Sequence, residues 1–274
     1  MKLNVLISTL NDGIERVPYI FLPPMAEVHY TVVHQLTDPK YEVADHHFSR
    51  NDVTLVKSFS KGLSKSRNIA LQHAVGDIAI FADDDVRYQE AYFRQILSVY
   101  ENDSSLDVVC FKIATPPGEP EYKRYHPEAH VLRKPFFHFI SSVEITVKLS
   151  SIKQSHITFD ERFGLGSGLV LAGEEGVFID DCLKNNLKVF YVPAYVVEHP
   201  FESTIKQMDR LSPERMMMMG AADARKNGPV SILNALTSTY YKFSHLRENK
   251  KNPLHYLYYT LKGNLFILMK RKKL

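Results

Sequence analysis

The stretch Ile78-Ala79-Ile80-Phe81-Ala82-Asp83-Asp84-Asp85 changes character within a single bond. Five consecutive apolar residues read as a strand covered on both faces, because a half-exposed strand would alternate with polar residues. Three acids follow at once. Unpaired carboxylates are too costly to bury, so the acids mark where this strand leaves the core. In open α/β sheets, ligands bind at the carboxyl ends of strands. Asp83 and Asp85, two apart, could point the same way. Their oxygens suit a hard divalent cation, Mg²⁺ or Mn²⁺, that bridges to phosphate oxygens. The competing reading of the same residues is a solvated acidic turn that caps the next helix.

Working outward, short β-branched runs alternate with helical patterns. Residues 3–7, 29–33, 54–58 and 107–113 read as strands, and residues 64–74 and 89–100 as helices. This alternation predicts an α/β domain with a mostly parallel, Rossmann-like sheet flanked by helices. Residues 115–135, rich in Pro and charge, predict an irregular excursion. Residues 142–147 read as a strand, 164–168 as a flexible loop, 174–185 as a helix, and 189–192 and 195–197 as strands. Beyond Phe201 helical segments dominate, at about 205–226, 230–243 and 254–270. This predicts a catalytic domain over residues 1–200 and a helical extension over 201–274.

The composition is ordinary for a folded protein: 274 residues, 45% apolar and 24% charged. Disorder and low-complexity structure are excluded, and no apolar run reaches the length of a membrane span. Residues 3–7 are too short an apolar stretch for a signal peptide. Two cysteines, Cys110 and Cys182, cannot form a disulfide framework, which points to a reducing compartment such as the cytoplasm. Charge is unevenly placed. Residues 241–274 carry nine Lys/Arg against Glu248 alone, so a tail of +8 follows a body of −5 in a chain of net +3.

Three further groups could carry chemistry. In Gly62-Leu63-Ser64-Lys65-Ser66-Arg67-Asn68, Ser64 is a candidate N-cap. The basic residues then lie near a helix start, where the macrodipole disfavours cations unless an anion shares the site. Gly173-Glu174-Glu175 opens a helix on which Glu175, Phe178 and Cys182 recur at helical spacing, so Glu175 is expected to face inward. A carboxylate there suits a general base. His199 follows the last strand and matters if it converges with Asp85 as a neutral imidazole ligand. The run Gly164-Leu165-Gly166-Ser167-Gly168 lacks the final Gly and the strand-to-helix context of a dinucleotide fingerprint.

Taken in order, Ser8-Thr9-Leu10-Asn11, Gly62 to Asn68, Phe81 to Asp85, Phe159-Asp160-Glu161-Arg162-Phe163-Gly164, Gly173-Glu174-Glu175 and Val192-Pro193 with Glu198-His199 resemble the family 2 glycosyltransferases of the A-type fold. The resemblance covers roughly residues 3–200 and is to bacterial members that build capsule, lipopolysaccharide or other surface polysaccharide. It implies an inverting transfer of a sugar from a nucleotide sugar, UDP first, to a glycan or lipid-linked acceptor. It further implies that Ser8, Thr9, Asn11, Gln35, Gly62, Ser64, Arg67, Asn68, Asp83 and Asp84 line the nucleotide site, with Arg67 near the diphosphate. Asp85 and His199, with Asp83 near, would hold Mn²⁺ or Mg²⁺, and Glu175, or its rival Glu174, would be the base. Two departures stand out. Val32-Val33-His34-Gln35 lacks the family's Asp-Asp pair, and Glu replaces Asp at the base.

Two other readings compete: a sugar-phosphate nucleotidyltransferase, and a non-catalytic sugar-nucleotide-binding scaffold. The first expects a Gly-rich loop where residues 8–13 offer one Gly; the second expects loss of the acids, which are present. Residues 253–274 combine leucines and tyrosines with Lys270-Arg271-Lys272-Lys273. This predicts a basic amphipathic helix on an anionic membrane surface, peripheral to the inner face of the plasma membrane. The terminal charge comes without a groove-reading motif, so nucleic acid is not expected as a partner.

Overall fold

Along β1 (Leu3–Leu10) the side chains divide between two apolar clusters, Leu3, Val5 and Ile7 on one face and Leu6 on the other. β4 (Ile78–Asp83) does the same with Ile78, Ile80 and Ala82 against Ala79 and Phe81. This is the double coverage that its unbroken apolar run predicts. The computed structural model describes residues 1–42, 48–133, 140–202, 208–209 and 211–270.

Six further strands complete the sheet: β2 (Val28–Gln35), β3 (Val53–Ser58), β5 (Val108–Ala114), β6 (His130–Val131), β7 (Ile145–Lys148) and β8 (Val189–Glu198). Their order is β3-β2-β1-β4-β7-β5-β8-β6. β3, β2, β1 and β4 run parallel, as do β5 and β8; β7 lies antiparallel between β4 and β5, and β6 antiparallel on β8. The first four helices are α1 (Leu63–His73), α2 (Glu90–Asn102), α3 (Leu149–Gln154) and α4 (Glu174–Lys184).

The two short strands expected at 189–192 and 195–197 are one strand. Cys110 pairs with Tyr191 but Lys112 with Tyr195, so β8 carries extra residues around Pro193. Proline has no N–H for the ladder and is tolerated at such a bulge. β6 falls inside the stretch expected to be irregular, where two residues are too few to show a period.

The chain folds as two compact units. The first comprises Met1–Phe159 and Phe178–Phe201 and contains the sheet; the second comprises Asp160–Val177 and Glu202–Leu274. The sequence reading puts one break near residue 200, whereas Phe163, Val170 and Val177 cluster with Ala221, Ala224 and Ile267 of the later helices.

In the second unit lie α5 (Pro213–Asn227), α6 (Val230–Tyr241), α7 (Phe243–Glu248) and α8 (Pro253–Met269). Ser212 caps α5, and Asn252 caps α8 through the Leu254 amide, each just before a proline. α5 and α8 cross closely. A Cβ on Gly220 would lie 2.0 Å from the Thr260 carbonyl oxygen, and one on Gly263 2.0 Å from that of Met217. The inward stripe of α8, including Tyr256, Thr260, Gly263, Asn264 and Ile267, is buried. The helix expected to lie freely on a surface is therefore packed along its inward side, and Leu254, Tyr258, Leu265 and Met269 are exposed on the other. Arg271, Lys272 and Lys273 lie outside the described residues, as does part of the helix expected from 205. Among the described residues no helix is long and apolar enough to cross a membrane.

Candidate functional site

The carboxyl ends of β1 and β4 lie side by side, with Ser8 opposite Asp83 in register. Each acid of the triplet meets a different partner. Asp83 Oδ1 takes a bond from Arg67 Nη2 at 3.2 Å. Asp84 accepts from Thr9 Oγ1 at 2.6 Å and, through its other oxygen, from Arg16 Nη2 at 2.6 Å and Nε at 3.2 Å. Asp85 Oδ1 stands 3.4 Å from His199 Nε2. Arg16, which sequence reasoning did not single out, lies in a 3₁₀ segment, Asn11–Tyr19.

Backbone pairing brings Asp85 to His199. Past the triplet, Arg87 forms an antiparallel bridge with Glu198 at the end of β8, two bonds of 2.9 Å. His199 Nδ1 lies 2.7 Å from the Pro200 carbonyl oxygen. A carbonyl only accepts, so Nδ1 carries a proton and Nε2 is the ring nitrogen that faces Asp85. The imidazole is nearly buried and packs edge-on to Tyr122, while the Asp85 carboxylate is half exposed. Partial burial raises the Asp85 carboxyl above the ordinary range; His199 opposes this, and the charges of Asp83 and Asp84 add to it.

An imidazole with its far nitrogen anchored to a carbonyl is the usual outer arrangement of a metal-ligating histidine. An octahedral cation with donors at about 2.1 Å places neighbouring donors about 3.0 Å apart. The observed 3.4 Å is within a small side-chain adjustment of that. The pair therefore fits two positions of a divalent cation. Among the described residues no group of three His, Cys, Asp or Glu side chains gathers for one. Asp83, expected near the metal, is turned to Arg67.

Among the residues expected to line a nucleotide, Ser8 Oγ is buried and, among the described residues, has no hydrogen-bond partner. Asn11 adopts φ 53° and bonds Thr37 through both ends of its amide, to Oγ1 at 2.9 Å and from the amide N–H at 3.0 Å. His34 is buried and bonds the Asn11 carbonyl at 2.8 Å. Burial lowers the His34 pKa, with the Asn11 carbonyl opposing. Gln35 is buried with its amide on Ser60 Oγ at 3.3 Å.

At α1 the expectation changes in two respects. The N-cap is Gly62, at φ 130°, and not Ser64, which lies buried inside the first turn. A left-handed φ at the cap favours glycine over serine. Arg67 is not a surface cation of the first turn. It is 1% exposed, bonds Ser142 Oγ at 2.6 Å as well as Asp83, and lies 5.5 Å from the centre of the Phe159 ring. Asn68 clamps the Phe159 peptide, Nδ2 to its carbonyl at 3.0 Å and Oδ1 from its amide at 2.8 Å.

Glu174 and Glu175 belong to the second unit. Glu174 is the buried member, at 2% exposure, and Glu175 is half-buried, the reverse of the inward-facing Glu175 expected from the stripe. Glu174 shares its helical face with Val177, whose side chain packs with Phe163 and Val170. At this first turn the packing of the preceding loop sets burial, and the later apolar positions do not. Asp160, fully buried, takes a fork from Arg162 at 2.6 and 2.9 Å and a bond from Arg225 at 3.0 Å. Burial alone would raise its pKa; the two arginines outweigh this and hold it below the ordinary value.

Residues 35–162 match the profile of glycosyl transferase family 2. The matched segment runs from the end of β2 to Arg162 and so contains α1, the acid triplet and the Phe159 clamp. Solved structures of S. aureus TarS are similar in fold. TarS 1-349 superposes with a TM-score of 0.60 at 18% identity, over 85% of this chain and 66% of that one. The same protein in complex with UDP-GlcNAc gives 0.60 at 18%, over 85% and 67%. The longer TarS gives 0.59 at 18%, over 81% and 39%, so this chain spans well under half of it. The likeness shows the glycosyltransferase A-type fold, with a helical C-terminal part. No curated protein matches the chain in sequence.

Proposed function

We propose that this protein is a glycosyltransferase that takes a sugar from a nucleotide sugar, with UDP the first choice of nucleotide. The observation that carries the proposal is the Asp85–His199 pair beside two acids that are each already held by the protein. Arg67 fixes Asp83, and Thr9 with Arg16 fixes Asp84, which leaves Asp85 and His199 Nε2 as the donors for Mn²⁺ or Mg²⁺. When bound, the cation would neutralise charge on the departing nucleoside diphosphate. Ser8 Oγ, buried and without a partner among the described residues, supplies a hydrogen bond to the nucleotide. The family 2 match over residues 35–162 and the fold of TarS, seen with UDP-GlcNAc, support the same reading.

In the proposed reaction an acceptor oxygen bonds to the anomeric carbon as the bond from that carbon to the diphosphate oxygen breaks, with inversion. The acceptor proton passes to Glu175, with Glu174 as the alternative base. The acceptor would be a glycan or a lipid-linked sugar in bacterial surface-polysaccharide assembly, reached from a peripheral position at the membrane.

The test is thermal stabilisation by UDP with and without Mn²⁺, followed by a screen of UDP-, GDP- and dTDP-sugars for released nucleotide. A bound ligand at about one hundred times its Kd stabilises by about 2.7 kcal/mol. Asp85→Asn and His199→Ala should each remove the Mn²⁺-dependent part. Stabilisation by UDP that ignores both Mn²⁺ and these substitutions would refute the metal site.

A further inference from the structure

We propose that the outward half of α6, with the Tyr240-Tyr241-Lys242-Phe243 junction that follows it, seats on the surface of an anionic lipid bilayer. α6 is built inside out. Its inward residues are small, Ser231 and Ala235 buried and Ser238 half-buried, and Asn234 bonds Asp223 at 3.1 Å. Its large apolar residues turn outward: Ile232, Leu233, Leu236, Tyr240 and Tyr241, with Leu233 61% and Tyr241 84% exposed. A helix that rests on a protein core in water shows the opposite arrangement. No residue of α6 carries a charge. Single exposed apolar residues need no explanation, but a continuous outward face of them marks an interaction surface.

The layering points to lipid. At 12 residues α6 is about 18 Å long, too short to cross a hydrocarbon core of about 30 Å, so it can only lie along the interface. Directly after the apolar face come two tyrosines and Phe243, the side chains that settle at headgroup level. The cations Lys242, Arg247, Lys250 and Lys251 follow, with Glu248 the single acid. Lys242 bonds the Tyr256 hydroxyl and Lys251 pairs with Asp209, while Arg247 and Lys250 are exposed. An isologous contact between two copies would set these cations against each other. Anionic headgroups complement them and attract cations held near the surface. The proposal does not depend on the transferase reading.

The chain contains no tryptophan, so a single Tyr240→Trp variant is a clean reporter. With vesicles of phosphatidylcholine and phosphatidylserine, its emission should shift to the blue and be quenched by brominated lipid. A Tyr258→Trp reporter on α8 should shift less, and vesicles of phosphatidylcholine alone should act more weakly. Flotation of the full chain with the mixed vesicles should fall at least about tenfold in the Leu233→Ser/Leu236→Ser/Tyr240→Ser variant, since three exposed anchors are lost. The melting temperature, measured alongside, should hold because these side chains are exposed. Failure of the wild-type chain to float, equal flotation of the triple variant, or an unshifted Tyr240→Trp spectrum would overturn the proposal. So would a dimer in solution that the triple variant dissociates while vesicles remain unbound.

Discussion

Arg67→Met separates a residue that holds the site from one that touches the ligand. The guanidinium is almost fully buried, at 2% side-chain exposure, and its partner Asp83 is one third exposed. Removing one member of a fully buried ion pair costs about 3–5 kcal/mol. Water can still reach Asp83, so its share is smaller, about 1–2 kcal/mol. Loss of the charged bond to Ser142 Oγ adds about 1.5 kcal/mol. Methionine keeps most of the volume and an S–aromatic contact with Phe159, so little cavity term is added. The total is about 3 kcal/mol, which for a unit of this size lowers the melting temperature by about 6–12 °C. Asp83, no longer tethered, should bind UDP about tenfold more weakly, or about 1.4 kcal/mol. Differential scanning fluorimetry and titration with UDP read the two effects. A variant that melts within about 1 °C of wild type yet loses UDP affinity would refute this reasoning and place Arg67 against the diphosphate. One that changes neither would show that Asp83 needs no tether.

Glu175→Gln should retain UDP affinity but lose turnover by at least about 100-fold; native turnover there, with the loss in Glu174→Gln, would move the base to the buried residue. Gly220→Ala should destabilise the second unit by about 2 kcal/mol or more, because its Cβ would press on a backbone carbonyl at 2.0 Å; an unchanged unfolding transition would mean α5 and α8 separate at no cost. Asp160 has a depressed pKa, so its contribution is complete above the ordinary value of 3.8 and is lost as pH falls through the depressed one. Asp160→Asn should therefore flatten the acid limb of the stability curve, and an identical limb in wild type and variant would contradict the assignment.

The stripe of α8 shows how packing redirects a sequence pattern. Its leucines and tyrosines form an amphipathic design, but Gly220 and Gly263 let α5 approach to backbone contact and cover the inward stripe. Removing residues 254–274 would therefore strip the core of the second unit as well as any membrane contact. A deletion confounds the two, whereas the point substitutions on the outward faces do not. α6 was visible in the sequence as a helix, yet nothing local says that Ser231 and Ser238 turn in and Leu233 turns out. The choice depends on which side α5 and α8 present to it.

Period and punctuation in the chain alone determined the α/β class, the doubly covered β4, and the placement of the acid triplet at a strand's end. These are local properties, since an unbroken apolar run and an abrupt change of polarity are written in consecutive residues. Tertiary structure decided who holds each acid. Arg16, Ser142 and the Pro200 carbonyl lie 68, 59 and 115 residues from the Asp they serve directly or through Arg67 and His199. It also decided that Glu174 is buried before Glu175. Hydrogen bonds and burial depend on which segments fold back upon one another, and no spacing along the chain encodes that.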